Sequence, residues 1–272
     1  MTVATDIAAA VDPTRLFERA GIGRPDPWQA GVLRGSWDRL QMLCSRQAGK
    51  STTVAALAAH EAIYTAESLT LITAPSQRQA KETLAKFWSF YRGLGHPVPV
   101  DAKSELRTRF ANGSRVIALP GTEKTIRGYS GVDLLVLDEA ARVDDELYEA
   151  VRPMLAVSDG RLAALTTPAG KRGWFYEAWT GDQPWKRVKI TAHDCPRITE
   201  AFLEQERREL GTWMFRQEYL CEFVDPVSQM FRTSDIEGAF TSDVEPLFGA
   251  SEKTEASPIV DPVDPSIDAL SP

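Results

Sequence analysis

The sequence predicts an α/β fold in which helices cover both faces of a mostly parallel central sheet. Two observations carry this expectation. Apolar runs of strand length alternate with longer helical segments along most of the chain, the pattern of repeated strand–helix units. The runs at residues 69–72 (LTLI) and 134–137 (LLVL) show no polar alternation, which suits central parallel strands buried on both faces. The expected architecture has three layers.

Asp12 and Pro13 suggest an N-cap and a first helical residue, and Gly21 a stop, so a short helix is expected over residues 13–20. A second helix starts at Pro27. Residues 39–44 (RLQMLC) read as a strand, 49–66 as a helix, 69–74 (LTLITA) as a strand and 76–92 as a helix. The segments ELRTRF and RVIALP flank Asn112-Gly113 and predict an extra β-hairpin, because Asn-Gly readily adopts the positive φ that tight hairpin turns need. The strand DLLVLDEA, a helix over residues 144–156 and the strand RLAALTT follow. After residue 198 come two helical stretches, TEAFLEQERREL and TWMFRQEYL, separated by Gly211, and the short run CEFV. Residues 251–272 hold prolines and acids without an aromatic, a composition expected to be disordered. The chain thus divides into an N-terminal helical segment (1–24), an α/β domain (25–224) and an acidic, proline-containing tail (225–272). It has no internal repeat.

At 272 residues, with 43% hydrophobic and 25% charged side chains, the chain can bury a sizeable core. Cys44, Cys195 and Cys221 lie far apart, which argues against a disulfide framework or a zinc site. The N-terminus lacks a basic start followed by an apolar run. No stretch reaches the ~18 apolar residues that a membrane helix needs. A soluble, cytoplasmic protein without a membrane partner is expected. The formal net charge of −7 is a property of the C-terminal end, where Asp235, Glu237, Asp243 and Glu245 precede a further acidic stretch. The rest of the chain is close to neutral and can still present a local basic surface.

Cys44-Ser45-Arg46-Gln47-Ala48-Gly49-Lys50-Ser51 follows an apolar strand and opens a helix, the context of a phosphate-binding loop. Cys44 stands where the pattern has its first glycine. In such a loop the backbone amides of Ser45, Arg46, Gln47, Ala48, Gly49 and Thr52 and the helix N-terminus cradle phosphates. Lys50 is expected to contact the β and γ phosphates of ATP, and the Ser51 hydroxyl to coordinate Mg2+. The second motif is the strand at residues 134–137 running into Asp138-Glu139. At the carboxyl edge of a parallel strand, Asp138 can support the magnesium shell and Glu139 can polarise a water towards the γ-phosphate. Together these motifs indicate a P-loop NTPase.

Over residues 25–224 the sequence resembles the motor domain of viral DNA-packaging terminase large subunits. The resemblance rests first on the loop, since that family accepts a non-glycine first position and has an arginine where Arg46 stands. Pro27-Trp28-Gln29 is similar to the family's adenine-contacting segment, which implies that Gln29 reads the base edge. Trp28 is equally compatible with a core aromatic. Thr166-Thr167-Pro168 resembles the coupling motif, in which hydroxyls sense the γ-phosphate. Arg127 resembles the arginine that such motors offer to a neighbouring subunit's ATP, and Arg46 competes for that role from within the same subunit. A guanidinium there is worth about 10³ to 10⁵ in rate.

The resemblance implies ATP hydrolysis coupled to translocation of double-stranded DNA by a homo-oligomeric ring on a portal, in the cytoplasm of a bacterial host, with a small terminase subunit as a further partner. Complete family members continue into a nuclease domain, for which the residues after Asp225 are too few, so no nuclease activity is expected of this chain, and DNA cutting would need a separate polypeptide or would not occur. Two alternatives share the loop and the paired acids: a helicase-like DNA-dependent ATPase, and an inactive prophage remnant that binds nucleotide as an assembly partner.

Overall fold

The computed structural model describes residues 3–121, 126 and 128–224; the tail expected over 225–272 lies outside the described residues. The strands are β1 Arg39–Cys44, β2 Leu69–Ala74, β3 Val100–Lys103, β4 Arg107–Phe110, β5 Arg115–Pro120, β6 Leu134–Asp138, β7 Arg161–Thr166 and β8 Lys186–Ile190. They form one eight-stranded sheet in the order β3-β4-β5-β2-β6-β7-β1-β8. From β5 to β8 every pairing is parallel, and β3, β4 and β5 pair antiparallel. The helices are α1 Val3–Val11, α2 Arg15–Arg19, α3 Pro27–Arg34, α4 Lys50–Tyr64, α5 Gln77–Gly93, α6 Asp145–Val151, α7 Gly173–Thr180 and α8 Glu200–Glu218.

The absence of polar alternation in the central strands has its explanation in two cores. Leu134 and Val136 of β6 join residues of α1 to α5 on one face, while Leu135 and Leu137 join α6 and α7 on the other. Successive side chains point to opposite faces of a strand, so a strand covered on both sides must be apolar throughout. The expected three layers are present. Among the described residues no helix is long and apolar enough to cross a membrane.

Local chemistry sets several boundaries. Ser76 and Gln79 form a capping box at the start of α5, with Ser76 N donating to Gln79 Oε1 at 3.2 Å and Gln79 N donating to Ser76 Oγ at 3.3 Å. The predicted hairpin is β4–β5, turning through Gly113 at φ 82°. Asn112 Nδ2 and Ser114 Oγ both donate to Ala62 O, at 2.9 and 2.7 Å, which ties the turn to α4. The helix expected over residues 144–156 is α6, which gives way to a 3-10 turn at Arg152–Leu155. Gly211 breaks α8 at φ 73° and ψ 165°, as its position between two helical stretches suggested; that conformation is open essentially to glycine alone.

Other features differ from the sequence expectation. The helix placed at residues 13–20 begins at Arg15, because Asp12 Oδ1 accepts from Thr14 N at 3.1 Å and Thr14 Oγ1 at 2.6 Å and holds a turn there. Helices α1 and α7 and strands β3 and β8 were not anticipated. Ala9, Leu16 and Phe17 of the N-terminal segment belong to the α1–α5 core. Phe17 meets Phe90 edge-on at 5.1 Å. A Cβ at Gly93 would lie 2.6 Å from Ala20 Cα, so α2 reaches α5 only across a glycine.

Phe17 is 3% exposed and Phe90 fully buried. Phe17→Ala should lower stability by about 3–5 kcal/mol within a single unfolding transition, read by urea denaturation followed by circular dichroism. A change below about 1 kcal/mol would place the segment outside the core.

Candidate nucleotide-binding and hydrolytic site

The loop begins where β1 ends. Cys44 is fully buried in the α1–α5 core and is not among the residues in the left-handed backbone region. The departure from glycine is therefore accommodated: the position needs no positive φ, and its side chain has an apolar place to go. Left-handed conformations occur instead at Gln47, φ 58°, and Gly49, φ 98°. The loop is anchored from outside, with Ser45 N donating to Ile190 O of β8 at 2.8 Å and Arg46 N to Glu218 O of α8 at 3.1 Å. Helix α4 starts at Lys50, so its first, unpaired amides open towards the loop.

Two side chains brace the loop at Ala48 and Gly49. Gln29 Nε2 donates to Gly49 O at 3.3 Å and to Thr53 Oγ1 at 3.0 Å, while Gln29 Oε1 accepts from Asp26 N at 2.9 Å. Arg197 forms a bidentate pair with Asp26, both contacts at 2.8 Å, and donates from Nη2 to Ala48 O at 3.2 Å. A Cβ at Gly49 would lie 2.9 Å from Gln29 Nε2, which adds a steric reason for glycine to the conformational one. Gln29 is 3% exposed, and its amide nitrogen contacts both Gly49 O and Thr53 Oγ1, which ties α3 to the loop. Trp28, half-buried, packs against the core.

The acids arrive by register. Asp138 of β6 pairs with Leu165 of β7, and Thr166 of β7 pairs with Leu43 of β1. Asp138, Thr166 and the start of the loop thus share the carboxyl edge of three adjacent strands. Asp138 is 4% exposed; its Oδ2 accepts from Thr83 Oγ1 at 2.7 Å and lies 3.5 Å from Ser51 Oγ, and its Oδ1 accepts from Glu139 N at 3.0 Å. Burial pushes the Asp138 carboxyl above the ordinary carboxylate range, against the lowering effects of Thr83 and Lys50. A cation would reverse that penalty.

Ser51 and Asp138 are hard oxygen donors, and the described residues contain no cluster of three or more His, Cys, Asp or Glu. Magnesium suits such a site, since it is bound by one or two protein ligands together with substrate phosphates and water.

Glu139 has a left-handed backbone, φ 53° and ψ 43°, at the head of a 3-10 turn, Ala140–Arg142. Its carboxylate is gripped from two sides: Oε1 lies 3.0 Å from Lys50 Nζ, and Oε2 accepts from Arg142 Nη1 at 2.7 Å. Arg142 Nη1 also donates to Thr167 Oγ1 at 3.3 Å, and Thr166 Oγ1 donates to Thr167 O at 2.7 Å. Lys50, Ser51, Asp138, Glu139 and the two threonines are thereby gathered at one edge of the sheet. Arg46 turns away to Glu218, its Nε 2.6 Å from Oε2. Arg127 lies outside the described residues.

Sequence reasoning missed Asp26, Thr83, Arg142, Arg197 and Glu218. Two of these left a signal: Asp26 stands three residues before Gln29 in capping-box spacing, and Arg142 stands three after Glu139. The other three come from segments remote in sequence. Cys195 and Cys221 also lie near the loop. Cys221 Sγ is 3.2 Å from Ile190 O, and burial pushes its thiol up to about 12; the Cys44 and Cys195 thiols are raised for the same reason.

A family model described as the N-terminal part of the T4likevirus-type terminase large subunit matches residues 41–238. The terminase large subunit of Escherichia phage T5 is 28% identical over 158 residues, which cover 54% of this chain and 36% of that protein. The chain therefore spans about a third of the length of this curated relative. Among solved structures, the large terminase ATPase domain of Thermus phage P74-26 aligns with a TM-score of 0.67 and 23% identity over 76% of this chain and 97% of that one. The large terminase of the thermophilic bacteriophage D6E in complex with ADP gives 0.62 and 14% over 73% and 53%. At such identities these likenesses concern the fold. The family match spans well over half of the chain, which thus belongs to the terminase large subunit family, in its T4-like N-terminal part.

Proposed function

We propose that this chain is the ATP-hydrolysing motor of a viral DNA-packaging machine, binding ATP with Mg2+ on the loop Cys44–Ser51 and coupling hydrolysis to movement of double-stranded DNA. One observation above all supports this: Lys50, Ser51, Asp138 and Glu139, drawn from two strand ends, lie within 3.0–3.5 Å of one another in linked pairs. That is the set of groups needed to bind a triphosphate and activate water.

The loop amides and the start of α4 would bind the phosphates, and Lys50 would leave Glu139 for the β and γ phosphates. Magnesium, held by Ser51 and Asp138, would offset charge between those phosphates. With Lys50 withdrawn, Glu139 Oε1 is free to accept a hydrogen bond from water and orient it for in-line attack on the γ-phosphorus. Cleavage of the bond to the bridging oxygen then yields ADP and phosphate. Arg46, after leaving Glu218, or Arg127 from an adjacent subunit would stabilise charge on the transferring group. Thr166 and Thr167, at the exit of the strand between the loop and the acids, would respond to loss of the γ-phosphate. In this reading the working form is a ring of these subunits on a portal, with a small terminase subunit as partner.

Phosphate release by the purified chain, with and without duplex DNA, tests the assignment. Glu139→Gln should lower kcat by about 10²–10⁴-fold while nucleotide still binds, and Lys50→Ala should lose nucleotide binding, read with a fluorescent ATP analogue. Unchanged turnover in both variants would overturn the proposal. Chelation of divalent cations should stop turnover, and Ser51→Ala should raise the magnesium concentration for half-maximal rate by about 10-fold, on the order of one lost charge-assisted contact. A magnesium dependence untouched by Ser51→Ala would remove that residue from the metal shell.

A further inference from the structure

The two cations on Glu139 come from different places and differ in what they can do. Lys50 belongs to α4 and is committed to phosphate once ATP is bound. Arg142 belongs to the turn that Glu139 itself begins, and Arg142 N donates to Glu139 O at 2.8 Å. The turn closed by that bond sets Arg142 three residues after Glu139, and its Nη1 reaches the Glu139 carboxylate at 2.7 Å. The same Nη1 reaches across to Thr167 Oγ1 of the neighbouring strand's exit, at 3.3 Å against 2.7 Å for Glu139 Oε2. An Nη group has two N–H donors, one for each acceptor.

We propose that Arg142 is a positioning residue that holds Glu139 by Oε2 and joins it to Thr167, so that the water-orienting carboxylate and the end of β7 move together. This rests on the hydrolytic reading of Lys50 and Glu139. When a triphosphate draws Lys50 away, Oε1 is released and Oε2 stays bound. The carboxylate then keeps its aim and does not swing into solvent or follow the lysine. A displacement of Glu139 during hydrolysis is passed through one guanidinium to Thr167. Lysine reproduces the charge, but its rotatable ammonium on a flexible stem does not hold two N–H bonds in one fixed plane towards both acceptors as the guanidinium Nη1 does.

Arg142 is 40% exposed, and its partner Glu139, 19% exposed, keeps Lys50 as a second cation, so removal of Arg142 should leave the fold intact. The test measures kcat and KM for ATP, each with and without duplex DNA, on the full chain carrying Arg142→Ala, Arg142→Lys, Thr167→Val or both Arg142→Ala and Thr167→Val. Lys50→Ala and Glu139→Gln are run beside them. Arg142→Ala should lower kcat by about 10–10²-fold with KM changed by less than about threefold, the signature of an interaction used in the transition state. Arg142→Lys should recover part of basal kcat and none of the stimulation by DNA. The double variant should respond to DNA as Arg142→Ala does, since both changes cut one connection. Unchanged kcat in Arg142→Ala, a rise in KM alone, full recovery of DNA stimulation in Arg142→Lys, or additive losses in the double variant would each overturn the proposal. If the hydrolytic reading itself is at fault, turnover is unchanged in Lys50→Ala and Glu139→Gln as well.

Discussion

The register of three parallel strands, β6, β7 and β1, is the constraint on which the rest of the molecule depends. Pairing of Asp138 with Leu165 and of Thr166 with Leu43 brings an acid, a hydroxyl and the phosphate loop to one edge. A slip of one residue would turn every side chain of the displaced strand to the opposite face. Both faces are filled by large apolar groups that belong to different cores, so the slip is resisted along the whole strand. Burial on two sides is thus what fixes the chemistry at the end.

Given that edge, the loop needs a fixed shape of its own. The loop is braced by groups from three remote segments: Gln29 of α3 at Gly49 O, Arg197 beyond β8 at Ala48 O and Glu218 of α8 at the Arg46 side chain. Asp26 organises two of these, accepting Arg197 on its carboxylate and presenting its amide to Gln29 Oε1. The segment matched to a base-contacting motif in sequence therefore also serves as scaffolding, and an ion pair with a buried carboxylate fixes it there. Pre-organisation of this kind reduces the entropy lost on binding.

The parts of the fold legible in the sequence were those whose pattern is local. Strands β1, β2, β6 and β7, the hairpin β4–β5 and helices α4 and α5 all announce themselves through apolar runs, caps or turn residues. What escaped has physical reasons. Strand β8, KRVKI, is an edge strand whose charged residues discourage further pairing and disguise it as a solvated segment. All four residues of β3 are exposed, so it carries no apolar signature. Within the site, contiguous motifs identified Lys50, Ser51, Asp138 and Glu139. Thr83, Arg197 and Glu218 take part only because the fold brings them there, and Arg142 was in plain view beside Glu139 without a reason to single it out.

The cysteines near the loop have a practical consequence. All three are buried, and the cost of burying a thiolate raises each thiol well above neutrality. A thiol reacts with maleimides and iodoacetamides as its anion, so the folded chain is almost inert to these reagents at neutral pH. One cysteine introduced on the surface would then be the sole labelling position in an otherwise native sequence. Fluorescence from that position could follow the loop or the broken helix α8 through nucleotide turnover, with the residue at the head of the phosphate loop left unaltered.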